Sequence, residues 1–224
     1  MTFRRSGDQC SVFSSRRLIR RFILHEVERF SELVKNSPLF RMRLQAGQLM
    51  LLDIGCGERP YARLFEAKQV GVDVHLRSGI DVVARGEDLP FREESFDVAI
   101  CTQVLEHLAD PGAMLSNTCR VLKKEGLLFL STHGIWPEKH EKIDYWRWTL
   151  DGLVKLVTGA GFQVVYQSSM KPLESLTQFL ALYTPSRLYP IHFGLNLLGS
   201  SLGKVLGSRG PRLYIDHALV CRKK

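Results

Sequence analysis

Asp53 and Asp73 stand in a pattern that could hold the polar half of a nucleoside. The first acid ends an apolar run, Leu49-Met50-Leu51-Leu52, and is followed by Ile54-Gly55-Cys56-Gly57. Such a run fits a buried strand, and Gly55 and Gly57 let the backbone turn sharply and press against a ligand. Pro60 suits the first turn of a helix, where its missing N–H costs nothing. The spacing therefore predicts strand, glycine turn, helix. The second acid lies in Val70-Gly71-Val72-Asp73-Val74, sixteen residues beyond Gly57. At the end of a second parallel strand, a carboxylate can accept hydrogen bonds from both hydroxyls of a ribose.

Two ligand classes use this geometry. The dinucleotide fingerprint wants a third glycine, so that a pyrophosphate can rest on the helix N-terminus. Here Glu58-Arg59-Pro60 occupies that place. Glu58 would repel a pyrophosphate, and Asp53 is better suited to a ligand carrying an ammonium group. An NAD-dependent oxidoreductase is disfavoured on this ground. Further on stand Glu87-Asp88-Leu89-Pro90-Phe91, Ser95-Phe96-Asp97-Val98-Ala99-Ile100 and Val104-Leu105-Glu106-His107-Leu108-Ala109-Asp110-Pro111. In this order over Leu49 to Ser168, the series resembles the class I S-adenosylmethionine-dependent methyltransferases, in particular the methyltransferase type 11 domains typified by ubiquinone-biosynthesis enzymes. The resemblance does not extend clearly to the two ends of the chain.

The resemblance implies S-adenosyl-L-methionine as cofactor and methyl transfer by in-line displacement, for which no metal is needed. By the same resemblance Gly55, Cys56 and Gly57 line the methionine and ribose side, and Asp53 lies near the amino group. Asp73 would grip the ribose, with Val74 against the adenine. Glu87, Asp88 and Leu89 fall in the adenine-edge loop, and Cys101, Thr102 and Gln103 border the sulfonium. One departure is Arg85, where the family often has Asp; the adenine amino contact then passes to Glu87 or Asp88, or is lost.

The acceptor is less determined. An oxygen or ring-nitrogen nucleophile must lose its proton, and a neutral His is the usual base near pH 7. His107 and His133 are the candidates, although His107 also reads as a residue that orients its local helix. Asp144-Tyr145-Trp146-Arg147, continuing into Trp148-Thr149, resembles a tract of relatives encoded with glycan and cell-surface genes. Its acid, aromatics and Arg could stack on and bond a sugar or an anionic head, or pack beneath the following helix. The expected function is methylation, at oxygen, of a small-molecule or lipid- or glycan-linked acceptor. A non-catalytic S-adenosylmethionine-binding module is the alternative from another class. A nucleic-acid partner is not expected, since no Asn/Asp-Pro-Pro-aromatic motif follows the fourth strand.

The elements that must position these residues follow from hydrophobic period and breakers. The expected fold is α/β: a Rossmann-like, seven-stranded, mostly parallel sheet with one antiparallel strand and helices on both faces. Residues 1–46 form a helical extension and 47–224 the methyltransferase domain, with a helical insertion at 170–211 before the last strand. Strands are predicted at Gln69–Val74, Asp81–Ala84, Phe96–Cys101, Leu127–Ser131, Phe162–Ser168 and Leu213–Cys221. Helices are predicted from Pro111 to Leu122 and, after a Thr149 cap, to Gly159–Gly161.

Charge is unevenly spread over the 224 residues. Residues 1–50 carry +6, residues 51–169 carry −4 and residues 170–224 carry +6. Apolar stripes at Leu18–Val34 and at Ile191, Leu195, Leu198, Leu202 and Val205 accompany the basic flanks. Basic helices laid over an acidic sheet simply as cover give this pattern; the same pattern suits peripheral contact with an anionic membrane face. The scattered cysteines, five in number, and the unpatterned start argue for a reducing, cytoplasmic setting, with the inner membrane face as its peripheral variant.

Overall fold

The structure, a computed structural model, describes residues 8–137, 143–170, 175, 191, 194, 197, 198 and 214–224. Most of the 170–211 insertion expected from sequence lies outside the described residues. The described chain divides into two compact units, one of Met1–Phe22 with Ser169–Asp216, the other of Ile23–Ser168 with His217–Lys224.

Helices α1 (Asp8–Asn36) and α2 (Pro38–Gln45) lead into β1 (Met50–Ile54), β2 (Lys68–Asp73), β3 (Val82–Val83) and β4 (Phe96–Thr102). Then come α3 (Pro111–Val121), β5 (Leu122–His133), α4 (Leu150–Gly159), β6 (Phe162–Ser169) and β7 (Asp216–Lys223). The seven strands form one sheet in the order β3-β2-β1-β4-β5-β7-β6. The pairings from β3 through β5 are parallel. At the other side β6 and β7 are antiparallel: Met170 N–H bonds the Asp216 carbonyl at 3.0 Å, and Lys224 N–H bonds Gly161 at 3.2 Å. The sheet is thus mostly parallel with an antiparallel member, as expected.

Period-two alternation sorts the strand residues to two faces. Leu52, Ile54, Ala99, Cys101, Leu128 and Leu130 join Met114 and Leu115 of α3 and Leu153 and Val157 of α4 in one core, all buried. On the other face Phe30 of α1 meets Phe129 of β5 at 5.5 Å between ring centroids and Phe65 at 6.0 Å. Helix α3 starts where Asp110 accepts the Ala113 N–H at 2.9 Å and Pro111 takes the first turn. Thr149 caps α4 by accepting from Gly152 at 3.1 Å.

Two expectations need correction. No α-helix follows the glycine turn; among residues 55–67 there is a single 3-10 turn, Ala62–Leu64. Gly55, Gly57 and Arg59 have φ of 66°, 51° and 52°, in the left-handed region that a right-handed helix cannot continue through. Pro60 therefore opens no helix. Strand β5 also begins at Leu122 and takes in Lys123-Lys124-Glu125-Gly126, read from sequence as a helix stop. Leu122 pairs with Phe96 and Leu127 with Val98, so the intervening residues form an irregularity, with Glu125 at φ 62°. Asp97 anchors it: wholly buried, it takes the Met50 N–H at 2.9 Å, the Lys123 ammonium at 3.0 and 3.1 Å, and the Arg43 guanidinium.

Candidate active site

Parallel strands β1, β2, β4 and β5 end on the same edge of the sheet. Register pairs Ile54 with Val72 and with Cys101, and Thr102 with Ser131. Asp53, Asp73, Thr102 and His133 are thereby brought to one rim.

At the β1 turn both Gly55 and Cys56 donate their N–H to the Val72 carbonyl, at 2.8 and 3.1 Å. A Cβ at Gly55 would collide with Cγ2 of Val104, and one at Gly57 would meet open space. The Asp73 carboxylate, half-buried, accepts from Gly57 N–H at 3.1 Å and from His75 N–H at 3.0 Å. Each oxygen keeps a further lone pair for a ligand hydroxyl. Val74 beside it is 54% exposed. Asp53 is buried, and burial pushes its carboxyl up to about 7; Arg59 opposes that rise and Asp73 adds to it. A buried acid at that rim has the chemistry to receive a cation.

Helix α3 holds the loop after β3. Asn117 donates to the Glu87 carbonyl at 2.6 Å, and Arg120 donates to Leu89 at 2.9 Å and Phe91 at 2.8 Å. Leu89 is buried, Glu87 half-buried and Asp88 exposed. Arg85, the departure noted from sequence, bonds the Glu87 carboxylate at 3.1 Å and is 67% exposed. At the end of β4, Cys101 is buried, its thiol raised by desolvation and inert as an acid. Thr102 is half-buried, and Gln103, at φ 56°, bonds the Ser131 carbonyl through its N–H at 2.9 Å.

Beyond β4 lies a residue that sequence reasoning quoted but gave no role. Glu106 is fully buried; its Oε2 accepts from Thr132 at 3.0 Å, and its Oε1 lies 3.5 Å from Nε2 of His133 and 3.9 Å from Nε2 of His107. Nδ1 of His107 is 2.6 Å from the Ile143 carbonyl. A carbonyl only accepts, so Nδ1 carries the proton and Nε2 of the neutral ring has the lone pair. His133 is buried and stacks on Trp136 at 5.2 Å. An acid beside His107 and bracketed by Leu105 and Leu108 was the available signal for Glu106.

The 143–148 segment straps this turn. Tyr145 N–H bonds the Glu106 carbonyl at 2.8 Å, and Trp146 Nε1 bonds Leu108 at 2.8 Å. Asp144 and Arg147 pair through two 2.6 Å bonds, and Arg147 also holds the carbonyls of Trp136 and Pro137. Tyr145 and Trp146 are 55% and 39% exposed. Trp148 is fixed at both ends of its residue: its N–H bonds His133 at 3.1 Å, and its carbonyl lies 3.1 Å from Nε2 of His217. Among the described residues no group of His, Cys, Asp and Glu could hold a metal ion.

A model of the methyltransferase domain matches residues 15–167. The ubiquinone biosynthesis O-methyltransferase of Cereibacter sphaeroides is 40% identical over 102 residues, 38% of this chain and 41% of that protein. The chain spans about half the length, or less, of the curated relatives it matches. Among solved structures, the cyclase SpnF superposes with a TM-score of 0.55 at 18% identity, over 88% of this chain and 80% of that one. An S-adenosylmethionine-dependent methyltransferase from Mesorhizobium loti gives 0.53 at 15% identity, over 85% of this chain and 100% of that one. At such identities the superpositions show the fold alone.

Proposed function

The chain belongs to the methyltransferase-domain family, and on that premise we propose that it moves a methyl group from S-adenosylmethionine to an oxygen of a small-molecule or lipid- or glycan-linked acceptor. The observation that carries this reading is the shared rim: a buried acid, a glycine turn and a half-buried acid on β1 and β2, beside Glu106 and His107 in the turn after β4 and His133 at the end of β5.

The residues present fit the cofactor. Asp53 meets its ammonium, Gly55, Cys56 and Gly57 leave the backbone open to its methionine and ribose, and Asp73 takes the ribose hydroxyls. Val74 and the Glu87-Asp88-Leu89 loop cover the adenine, and Cys101, Thr102 and Gln103 border the sulfur. When bound, the cofactor supplies an electrophilic methyl group on a sulfonium. The chain must then orient the acceptor in line, exclude water and remove the acceptor's proton. His107 or His133 takes that proton, and Glu106 steadies the imidazolium that results. Tyr145 and Trp146 offer faces for the acceptor to stack on, held in place by the Asp144–Arg147 pair. The same name on the Cereibacter sphaeroides relative supports oxygen as the accepting atom.

The test is label transfer. Incubation with methyl-labelled S-adenosylmethionine and fractionated small-molecule and lipid extracts is expected to label one fraction. Calorimetric binding of the cofactor with no label in any fraction would favour the non-catalytic module. In parallel, Asp73→Ala should weaken cofactor binding by about 1.5–3 kcal/mol through lost charged hydrogen bonds. Gly55→Val should abolish it, because the new side chain meets Val104. Unchanged affinity in a folded Asp73→Ala protein removes Asp73 from the site.

A membrane-facing role for the basic flanks is part of the same reading. Arg20 and Arg21 are exposed, and Ile191, Leu197 and Leu198 are 50%, 60% and 54% exposed. No helix among the described residues is long and apolar enough to cross a membrane. Reversible sedimentation with anionic vesicles is expected, weakened by salt because screening acts over about 10 Å at 0.1 M. Arg16, Arg17, Arg20 and Arg21 changed together to Gln should reduce it, at roughly 1 kcal/mol per charge. Protein that stays in the supernatant with every vesicle points instead to a freely diffusing acceptor.

A further inference from the structure

Arg59 directly precedes Pro60, which stands where a nucleotide-binding turn would place its third glycine, and its backbone is left-handed at φ 52°. A non-glycine residue accepts that conformation only where its surroundings hold it. They do so through the side chain. The guanidinium reaches back over β2, where a Cβ at Gly71 would collide with it, and its Nη2 pairs with Asp81. Asp81 is itself fixed by the Gly71 N–H at 2.8 Å, which together with Arg59 holds its carboxyl below the usual range. Arg59 also opposes the rise that burial gives the Cys56 thiol. Nε of Arg59 is buried and has no hydrogen-bond partner among the described residues. A guanidinium left short of a bond in a buried place is held there by charge. Gly71 is the register partner of Asp53 in the parallel β1–β2 pair, so the guanidinium laid over Gly71 lies on the sheet face that carries the Asp53 carboxyl, whose rise it opposes.

We propose that Arg59 is a positioning residue of the cofactor site: latched to Asp81 and laid over Gly71, it holds the turn after β1 in place of a helix and supplies the positive charge that keeps Asp53 ready for the cofactor's ammonium group. The proposal rests on the reading of Asp53 given above. The ionisable groups coupled to Asp53 are Arg59 and Asp73, and the thiols of Cys56 and Cys101. Arg59 is the one cation among them, and Asp73 works against it. Without Arg59 the buried carboxyl ionises less readily, so an ammonium ligand loses its partner near neutral pH and regains it as pH rises. A nucleoside without the ammonium is indifferent to that change.

Calorimetry on the full chain separates the two effects, with S-adenosylhomocysteine and 5′-methylthioadenosine as probes; the second lacks the amino-acid head. For Arg59→Met, binding of S-adenosylhomocysteine is expected to weaken tenfold or more at pH 7, with the loss shrinking at pH 8. Methylthioadenosine, which reads the turn but not the charge, should lose clearly less and by the same factor at both pH values, and Arg59→Lys should recover part of the S-adenosylhomocysteine loss. Equal weakening of both probes, at every pH, would mean that Arg59 only shapes the turn and would overturn the charge assignment. Unchanged binding of both would overturn the proposal entirely. Asp81→Asn carries the same test without removing Arg59: unlatching the guanidinium should give the same selective loss, in smaller degree. Asp53→Asn tells the two readings apart. If it leaves S-adenosylhomocysteine binding unchanged, the assignment of Asp53 fails and Arg59 with it. If it weakens that binding while Arg59→Met does not, the role of Arg59 alone falls.

Discussion

Asparagine at His107 or His133 is expected to lower turnover by about two to four orders of magnitude, with cofactor affinity nearly intact. Asparagine keeps a polar group of similar reach but cannot take up a proton near neutral pH. The geometry gives the two rings different standing. His107 has its Nδ1 proton committed to the Ile143 carbonyl, which leaves Nε2 as the basic atom, and its side chain is 21% exposed. His133 is 5% exposed, stacked on Trp136 and nearer to Glu106. A base must reach an acceptor, so the larger effect is expected at His107. Single-turnover methyl transfer on the labelled fraction, set beside calorimetry of S-adenosylhomocysteine, reads the two quantities separately. Loss at one position and not the other identifies the base. If both variants keep full turnover, the reaction proceeds by positioning alone or through another group such as Asp144.

The glycine turn and its two acids were legible because their signals are local. Glycines at left-handed φ, an apolar run ending in an acid and a second acid at fixed spacing depend on few long-range contacts, and Gly55, Gly57, Asp53 and Asp73 meet at one rim as read. Pro60 misled because its preference is a local one, whereas the backbone before it is left-handed at Gly55, Gly57 and Arg59. Glu106 was passed over for a related reason. Nothing in Leu105-Glu106-His107 says that the acid points inward; that depends on Thr132 and His133, twenty-six and twenty-seven residues later. The strap shows the same limit. Asp144 and Arg147 are residue types suited to a ligand, and the structure pairs them with each other and with the carbonyls of Trp136 and Pro137. The charge of Lys123-Lys124-Glu125 read as a helix end, whereas buried Asp97 draws Lys123 into the start of β5.

Asp53→Asn is expected to make the ligand-free protein more stable at pH 8 and less able to bind its cofactor. The carboxyl stands at about 7 in the folded chain against 3.8 as its ordinary value, mainly through burial. A folded value above the unfolded one means that the native state holds the proton more tightly. Between about pH 4 and pH 7 the unfolded chain has already lost it, so stability falls across that window and levels off above it. The difference corresponds to roughly 4 kcal/mol against the native state at pH 8. Asparagine has nearly the same shape and no charge to desolvate, so it should restore up to that amount at pH 8 and little near pH 4. Urea denaturation at the two pH values measures this directly. The same substitution removes the anion that an ammonium group would meet. Wild-type affinity for S-adenosylhomocysteine should rise from pH 6 to pH 8 as Asp53 ionises, while the asparagine variant binds more weakly and without that rise. A variant less stable than wild type at pH 8 would show that Asp53 is held by bonds that favour its charge. A wild-type affinity flat from pH 6 to pH 8 would show that no ionised Asp53 is needed. A site acid kept at the edge of ionisation in this way costs the fold stability in exchange for a charge that forms when its ligand arrives.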